Sequence, residues 1–140
     1  MKHFLLITIA AVLLVGCGKS VPEISIYDAA EQGDIAAVKQ HIVAGTNVNG
    51  FLGGWSCLDR ASHKGYIEIA RFLIDNGANV NARIEGLFDH PGKSPLDYST
   101  ESKHKEISKL LRQHGAKTSE ELDAVWLRIN FKTLYKFSLL

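Results

Sequence analysis

The 140-residue sequence has few cysteines, almost no net charge and none of the common catalytic motifs. Its two cysteines, Cys17 and Cys57, exclude a disulfide-rich framework. The formal net charge of +1 argues against nucleic acid as the main partner, because nucleic-acid binding needs a dense basic face. There is no Gly-x-Ser-x-Gly nucleophile motif and no short-spaced cluster of histidine and cysteine. We therefore expect no enzyme activity, no metal or cofactor, and no small-molecule substrate.

The sequence also lacks an apolar run long enough to cross a bilayer. Residues 4–15 (FLLITIAAVLLV) are uncharged and mostly apolar, but these 12 residues are fewer than the roughly 18 to 20 that a spanning helix needs. After Lys2, a run of this size is typical of the apolar core of a secretory signal peptide. Leu14-Val15-Gly16-Cys17 follows, and it resembles the lipobox of bacterial lipoproteins. The resemblance implies a signal peptide at residues 1–16, removed before a Cys17 whose sulfur carries a diacylglyceryl group.

The same stretch ends in Gly18-Lys19-Ser20, as a phosphate-binding loop does. That motif also needs a glycine five positions before its Gly-Lys-Ser, and this position is Leu13. We therefore interpret residues 17–23 as the lipidated cysteine and a short linker. In enteric-type lipoproteins an aspartate after the cysteine retains the protein in the inner membrane, so Gly18 implies the outer membrane, facing the periplasm. A buried N-terminal helix with an incidental cysteine is the alternative interpretation.

Three segments of the chain repeat one another at offsets of 32 and then 38 residues. An apolar residue and a later glycine recur in each: Ile26, Leu58 and Leu96, then Gly45, Gly77 and Gly115. Ser94-Pro95-Leu96-Asp97 resembles the Thr-Pro-Leu-His start of an ankyrin repeat, and residues 76–82 (NGANVNA) resemble its end. On these motifs the chain is identified as a member of the ankyrin repeat family over residues 24–117. The resemblance implies an all-α solenoid of three helix–turn–helix repeats with hairpin loops, at residues 24–54, 55–92 and 93–117.

Local chemistry favours helices at these places. Ser94 with Asp97, and Ser56 with Asp59, have the spacing of a capping box at a helix start. Apolar residues at helical spacing follow in the second helix of two repeats: Ile69, Phe72 and Leu73, then Ile107, Leu110 and Leu111. The recurring glycines stand where a left-handed residue ends a helix. We interpret His41, which replaces a leucine of the stripe, as a partly buried packing histidine.

The loops between the repeats depart most from the family pattern. Residues 50–55 (GFLGGW) are rich in glycine, and residues 83–88 (RIEGLF) contain a five-residue insertion. In ankyrin stacks these loops and the inner helices bind partners, and exposed apolar clusters tend to mark binding surfaces. The resemblance therefore implies a protein partner bound by Phe51, Leu52, Trp55, His63, Lys64, Leu87, Phe88 and His90. The alternative is that the large apolar side chains fold back and cover the stack.

The repeat pattern stops after Lys117. Ser119 with Glu120 and Glu121 indicates the start of a helix, whereas residues 127–133 alternate apolar and polar side chains as a strand does. A lone strand would have no sheet to join, so for residues 118–140 we favour a helix that covers the end of the stack. A tail that faces a membrane or a partner is the alternative.

Two further functions are open on the sequence alone. The chain could be a protective, immunity-type inhibitor subunit of a periplasmic or secreted enzyme, which would use the same binding surfaces. It could instead be a thiol-based redox factor, because Cys57 stands beside a predicted helix start and a helix N-terminus lowers the pKa of a thiol. Asp89-His90 is an adjacent acid–imidazole pair without an accompanying nucleophile, so we expect no catalytic site there.

Overall fold

A computed structural model describes residues 21–84 and 92–137, with side chains as far as Ile129. The candidate residues Cys17, Leu87, Phe88 and His90 lie outside the described residues, as do the proposed signal peptide and Asp89. The described residues form seven helices and two short strands, in chain order α1 (Ile26–Gln32), α2 (Ile35–Val43), β1 (Phe51–Leu52), β2 (Trp55–Ser56), α3 (Cys57–Lys64), α4 (Ile67–Asp75), α5 (Pro95–Glu101), α6 (Lys105–Gln113) and α7 (Ser119–Phe137).

The first six helices form three helix–turn–helix pairs that stack along one direction. The first helices of the pairs make one row, in which α3 packs between α1 and α5. The second helices make another row, in which α4 packs between α2 and α6. Fully buried leucine and isoleucine side chains from successive pairs fill the space between the rows: Leu58, Ile69, Leu73, Leu96, Ile107 and Leu111. The predicted all-α stack of three repeats is confirmed.

The predicted capping boxes are present at α3 and α5. The Ser56 side chain accepts a hydrogen bond from the Asp59 backbone N–H, and the Asp59 carboxylate accepts one from the Ser56 backbone N–H. Ser94 and Asp97 make the same reciprocal pair, with Pro95 in the first turn. Gly45, Gly77 and Gly115 have φ values of 90°, 86° and 82°, which confirms that they end the second helices in the left-handed conformation.

His41 is a packing residue, as interpreted, but it is buried and not partly buried. Only 5% of its surface is exposed, and its Nε2–H donates a hydrogen bond of 2.7 Å to the Ile24 carbonyl oxygen. The Thr46 hydroxyl lies 3.4 Å from its other ring nitrogen. The histidine therefore fixes the chain just before α1 against α2, which a leucine could not do.

The loop between the first two repeats is a short β-hairpin. β1 and β2 pair antiparallel, with Phe51 opposite Ser56 and Leu52 opposite Trp55. Gly53 and Gly54 form the turn, and their φ values of 61° and 90° suit a two-residue hairpin loop. The hairpin ends at Ser56, the residue that caps α3, so its position is fixed relative to that helix.

The tail is a helix, so the strand interpretation of residues 127–133 is wrong. Three contacts attach the start of α7 to the repeats. The Ser119 N–H donates to the Asp97 carboxylate over 2.8 Å, Arg112 pairs with Glu121 at 2.6 Å, and Arg83 pairs with Asp123 at 2.7 Å. Within the described part of the chain, no helix has the length and apolar character required to cross a membrane.

Candidate functional site

The hairpin exposes two of the predicted binding residues. Phe51 and Leu52 retain 39% and 47% of their side-chain exposure, although both are large and apolar. They therefore do not fold back over the stack. Their exposure agrees with the prediction, and their binding role stays a prediction.

Trp55 is placed differently from the expectation of an exposed loop tip. Its ring stacks on Tyr98 with centroids 4.1 Å apart and an interplanar angle of 29°, and it lies 5.4 Å from the His63 ring. The physical reason is its position in β2, next to the capping Ser56, which brings the ring against α3 and α5. Trp55 is therefore half-buried and fixed by ring contacts, and for this residue the fold-back alternative is the better description.

Trp55, His63 and Lys64 line one cleft of about 350 Å³, together with Glu31, Gly53 and Arg60. We call these six residues the loop-side cleft. Arg60 forms an ion pair with Glu31 of α1 and donates a hydrogen bond of 3.1 Å to the Leu52 carbonyl oxygen. One guanidinium thus fixes the hairpin to two first helices. The cleft combines an aromatic wall with cationic groups, and the Lys64 ammonium lies 3.5 Å from the Glu31 carboxylate.

Contacts to the third repeat fix the far side of the loop-side cleft. His63 Nδ1 lies 2.9 Å from the Ser102 hydroxyl, and the His104 ring donates a hydrogen bond of 3.0 Å to the His63 carbonyl oxygen. The Lys93 ammonium lies 5.9 Å from the centroid of Tyr98, the ring that supports Trp55. The six cleft residues come from the first two repeats, and the third repeat supports two of them, Trp55 and His63.

Asparagine side chains connect the loops of successive repeats. Asn49 donates to the Gly77 carbonyl oxygen over 3.0 Å, and its own amide oxygen accepts from the Asn79 N–H over 2.7 Å. Asn81 repeats the arrangement one loop later, where its oxygen accepts from the Lys117 N–H over 2.8 Å. A groove of about 570 Å³ lies over this row, between Phe51 and four apolar residues of α7: Leu122, Val125, Trp126 and Ile129.

Cys57 is not an activated thiol. It is fully buried, and burial raises its pKa to about 12 in spite of the nearby Arg60 guanidinium. The expectation that the helix start lowers this pKa is therefore wrong, because desolvation of the thiolate outweighs the helix terminus. A buried thiol with this pKa lacks the access and the thiolate that redox exchange requires.

Residues 21–84 and 92–137 contain no group of three metal-ligating side chains.

A family model for ankyrin repeats matches residues 26–121 as three copies. The chain belongs to the ankyrin repeat family. A comparison with curated proteins finds no match. Ankyrin repeats are protein–protein interaction modules, and the ankyrin domain of this chain is a module of that kind.

In this ankyrin domain aspartate replaces the histidine of the repeat start without loss of local hydrogen bonds. The Asp59 carboxylate accepts from the Ser56 hydroxyl over 2.7 Å and from the Ser56 N–H over 2.8 Å. Asp97 makes the same two bonds to Ser94 and accepts a third from the Ser119 N–H. The aspartates therefore cap their own helices, and Asp97 also holds the helix that follows the last repeat.

Sequence reasoning missed Glu31 and Arg60, which line the cleft, and Tyr98, whose ring supports Trp55. The partners of Arg60 and Trp55 are 29 and 43 positions away along the chain, so no local pattern marks them. Alignment of the three repeats with one another does contain a signal. It places all three residues on first helices, which form one packed row in the structure.

Proposed function

We propose that the chain is a non-enzymatic ankyrin-repeat lipoprotein that binds a protein partner through the loop-side cleft and the adjoining hairpin. One observation carries the binding proposal. The hairpin and α3 bring Trp55, His63 and Lys64 into a single cleft, while Phe51 and Leu52 remain exposed beside it. Five of the residues predicted from the sequence to bind a partner thus lie in the hairpin and α3.

The chemistry of this surface suits a protein partner. Binding energy at protein interfaces concentrates in aromatic and arginine side chains held in well-packed positions, and Trp55 and Arg60 are both held in this way. Because ring stacking and the Arg60 contacts fix the hairpin beforehand, binding loses little conformational entropy. The exposed Phe51 and Leu52 would contribute apolar area at the edge of the contact.

Crosslinking in living cells tests the binding proposal. A photoreactive amino acid at Leu52 is expected to give a discrete protein adduct, whereas the same group at Arg71, exposed on α4, is expected to give none. An adduct from position 71 without one from position 52 would contradict the proposal. If the captured protein is a secreted enzyme that loses activity on binding, the immunity-type alternative is correct.

We further propose that Cys17 is lipidated and tethers the ankyrin domain in the bacterial envelope, at the outer membrane facing the periplasm. The support is the sequence pattern: a short apolar run, the lipobox-like residues 14–17, and Gly18 after the cysteine. Radiolabelled palmitate should label the wild-type chain and should not label the Cys17→Ser variant. Label that persists in the variant would refute the tether and would leave the loop-side cleft unaffected.

A further inference from the structure

The charges of α7 are segregated along its length. Its acidic residues, Glu120, Glu121 and Asp123, all stand in the first five positions, where carboxylates suit the helix N-terminus. Two of them are paired with the repeats, Glu121 with Arg112 and Asp123 with Arg83. The hydrogen bond from Arg112, together with the Thr118 N–H, lowers the pKa of Glu121 to about 2. The negative charge of α7 is therefore largely engaged where the helix meets the ankyrin domain.

The rest of the tail carries charge of one sign only. After Asp123 there is no acidic residue up to Leu140, whereas Arg128, Lys132 and Lys136 follow at intervals of four. Because α7 continues to Phe137, this interval aligns their Cα atoms along one side of the helix. Among the residues whose side chains the structure describes, Arg128 forms no ion pair with the ankyrin domain, unlike Glu121 and Asp123.

Large apolar side chains accompany this positive charge. Val125, Trp126 and Leu127 are 41%, 62% and 60% exposed, in contrast to the leucines and isoleucines between the repeats. Successive helix positions point about 100° apart, so these three cover an arc of roughly 200°. The sequence continues in the same character, with four more large apolar or aromatic residues up to the end of α7: Phe131, Leu134, Tyr135 and Phe137.

We propose that α7 beyond Asp123 lies on the surface of an anionic phospholipid membrane. Tryptophan, tyrosine and leucine combined with lysine and arginine are the composition of interfacial helices, and basic residues attract anionic headgroups. A broad and irregular apolar arc suits a fluid lipid interface better than a protein groove, which takes one narrow stripe. A second copy of the chain is disfavoured because two such tails would bring positive charge against positive charge.

This inference stands apart from the protein-binding cleft and from Cys17. If Cys17 is lipidated, the helix supplies a second membrane contact, and two contacts hold a protein at a membrane far more firmly than one. If Cys17 is not lipidated, the helix still binds anionic vesicles. The two membrane proposals can therefore fail independently.

Vesicle binding tests the inference on a chain that begins at Val21. This chain keeps every buried core residue from Ile26 to Ala116 and the whole family match, and it removes the apolar residues 4–15 that would bind lipid themselves. In the Trp55→Phe variant Trp126 is the sole tryptophan. Vesicles containing phosphatidylglycerol should shift its emission to shorter wavelength and sediment the protein. Pure phosphatidylcholine vesicles should do neither, and added salt should reverse the binding.

Matched variants distinguish binding of α7 to anionic lipid from non-specific adsorption of the protein to vesicles. Arg128→Gln, Lys132→Gln and Lys136→Gln together should weaken vesicle binding roughly 100-fold. Each basic residue near an anionic surface strengthens binding by about five-fold, and the three effects multiply. Removing three other exposed lysines by Lys105→Gln, Lys109→Gln and Lys117→Gln should change it little. In Trp126→Phe, the remaining Trp55 should show no shift.

Three results would overturn the inference. The first is absence of binding to anionic vesicles by a chain whose circular dichroism shows a folded ankyrin domain. The second is equal binding to both vesicle types. The third is a Trp126 shift that depends on protein concentration and occurs without vesicles, which would indicate a second copy or another protein as the occupant.

Discussion

Lys103 shows how the last repeat differs from the first two at a single residue. Among the described residues it is the one non-glycine with positive φ, at 63°, and it occupies the turn where Gly33 and Gly65 stand in the earlier repeats. A Cβ at Gly33 would lie 2.8 Å from the Tyr66 ring, and one at Gly65 would lie 2.6 Å from the His104 ring. Those glycines are therefore required by the next repeat, whereas no further matched repeat follows Lys103.

Lys103→Gly should consequently stabilise the protein. The left-handed conformation costs an L-residue about 1 kcal/mol, which glycine does not incur. We expect the free energy of unfolding in urea to rise by about that amount. Gly65→Ala should lower it by more, since it adds both strain and a clash with His104. A loss of stability in Lys103→Gly would show that its conformation is not strained.

Asp59 makes stability depend on pH. It is 1% exposed, and burial raises its pKa to about 6 against the hydrogen bonds from Ser56. Between about pH 7 and pH 4 the folded chain therefore takes up a proton that the unfolded chain does not, so the contribution of Asp59 grows as pH falls and is lost as pH rises through 6. The stability of wild type relative to Asp59→Asn should increase by up to about 3 kcal/mol over this range.

Asp97 is the control for Asp59, because its pKa is shifted in the opposite direction. Burial raises the pKa of this carboxyl, but the hydrogen bonds from Ser94 and Ser119 together outweigh burial and lower it. The advantage of wild type over Asp97→Asn should therefore shrink as pH falls towards the folded-state pKa. Urea unfolding of the three proteins at several pH values measures both trends. Parallel curves for wild type and Asp59→Asn would contradict the raised pKa.

At the scale of elements, the hairpin turn determines the geometry of the loop-side cleft. Gly53 and Gly54 both adopt positive φ, and the second, at 90°, lies in a region that a branched side chain avoids. Gly54→Val should therefore disrupt the pairing of Leu52 with Trp55, at a cost of about 1 to 2 kcal/mol. Gly53→Asn should be tolerated, because asparagine is preferred at the first position of such a turn. Near-ultraviolet circular dichroism of Trp55 reports the difference, and equal spectra for both variants would contradict it.

Elements with local sequence signals could be predicted from the sequence. Features that depend on contacts between residues far apart in the chain could not. Ser56 with Asp59 and Ser94 with Asp97 sit three residues apart, so the starts of α3 and α5 could be predicted from spacing alone. The position of Trp55 could not, because it depends on Tyr98 in the next repeat. The raised pKa of Cys57 was also unpredictable, since it follows from burial between stacked helices and not from the helix start.

The secondary structure of the tail also could not be predicted from its local sequence pattern. Residues 127–133 alternate in polarity and would suit a strand, but in the structure no neighbouring strand is described for them to pair with. An isolated strand leaves its backbone hydrogen bonds unmade, whereas a helix makes them internally. The helix start at Ser119 is in addition fixed by Asp97, a contact 22 residues away.

At the scale of the whole molecule, the three repeats should unfold as one unit. α3 packs against both α1 and α5, so no pair of helices buries its apolar face alone. Leu58→Ala, in the fully buried centre of the stack, should cost about 3 kcal/mol, while Val43→Ala, at an exposed position, should cost under about 0.5 kcal/mol. Trp55 fluorescence and far-ultraviolet circular dichroism should give coincident transitions, and separate midpoints would show that the repeats unfold one by one.

The central claim is that the loop-side cleft binds a protein, and the affinity of the captured partner for Trp55→Ala tests it most directly. The purified chains are compared without lipid, with Trp126→Ala as the matched tryptophan control on α7. We predict that Trp55→Ala weakens the affinity about 30-fold, as loss of an interface hot spot does, while its helical content and the affinity of Trp126→Ala stay at wild-type values. Unchanged affinity in a folded Trp55→Ala protein would contradict the account.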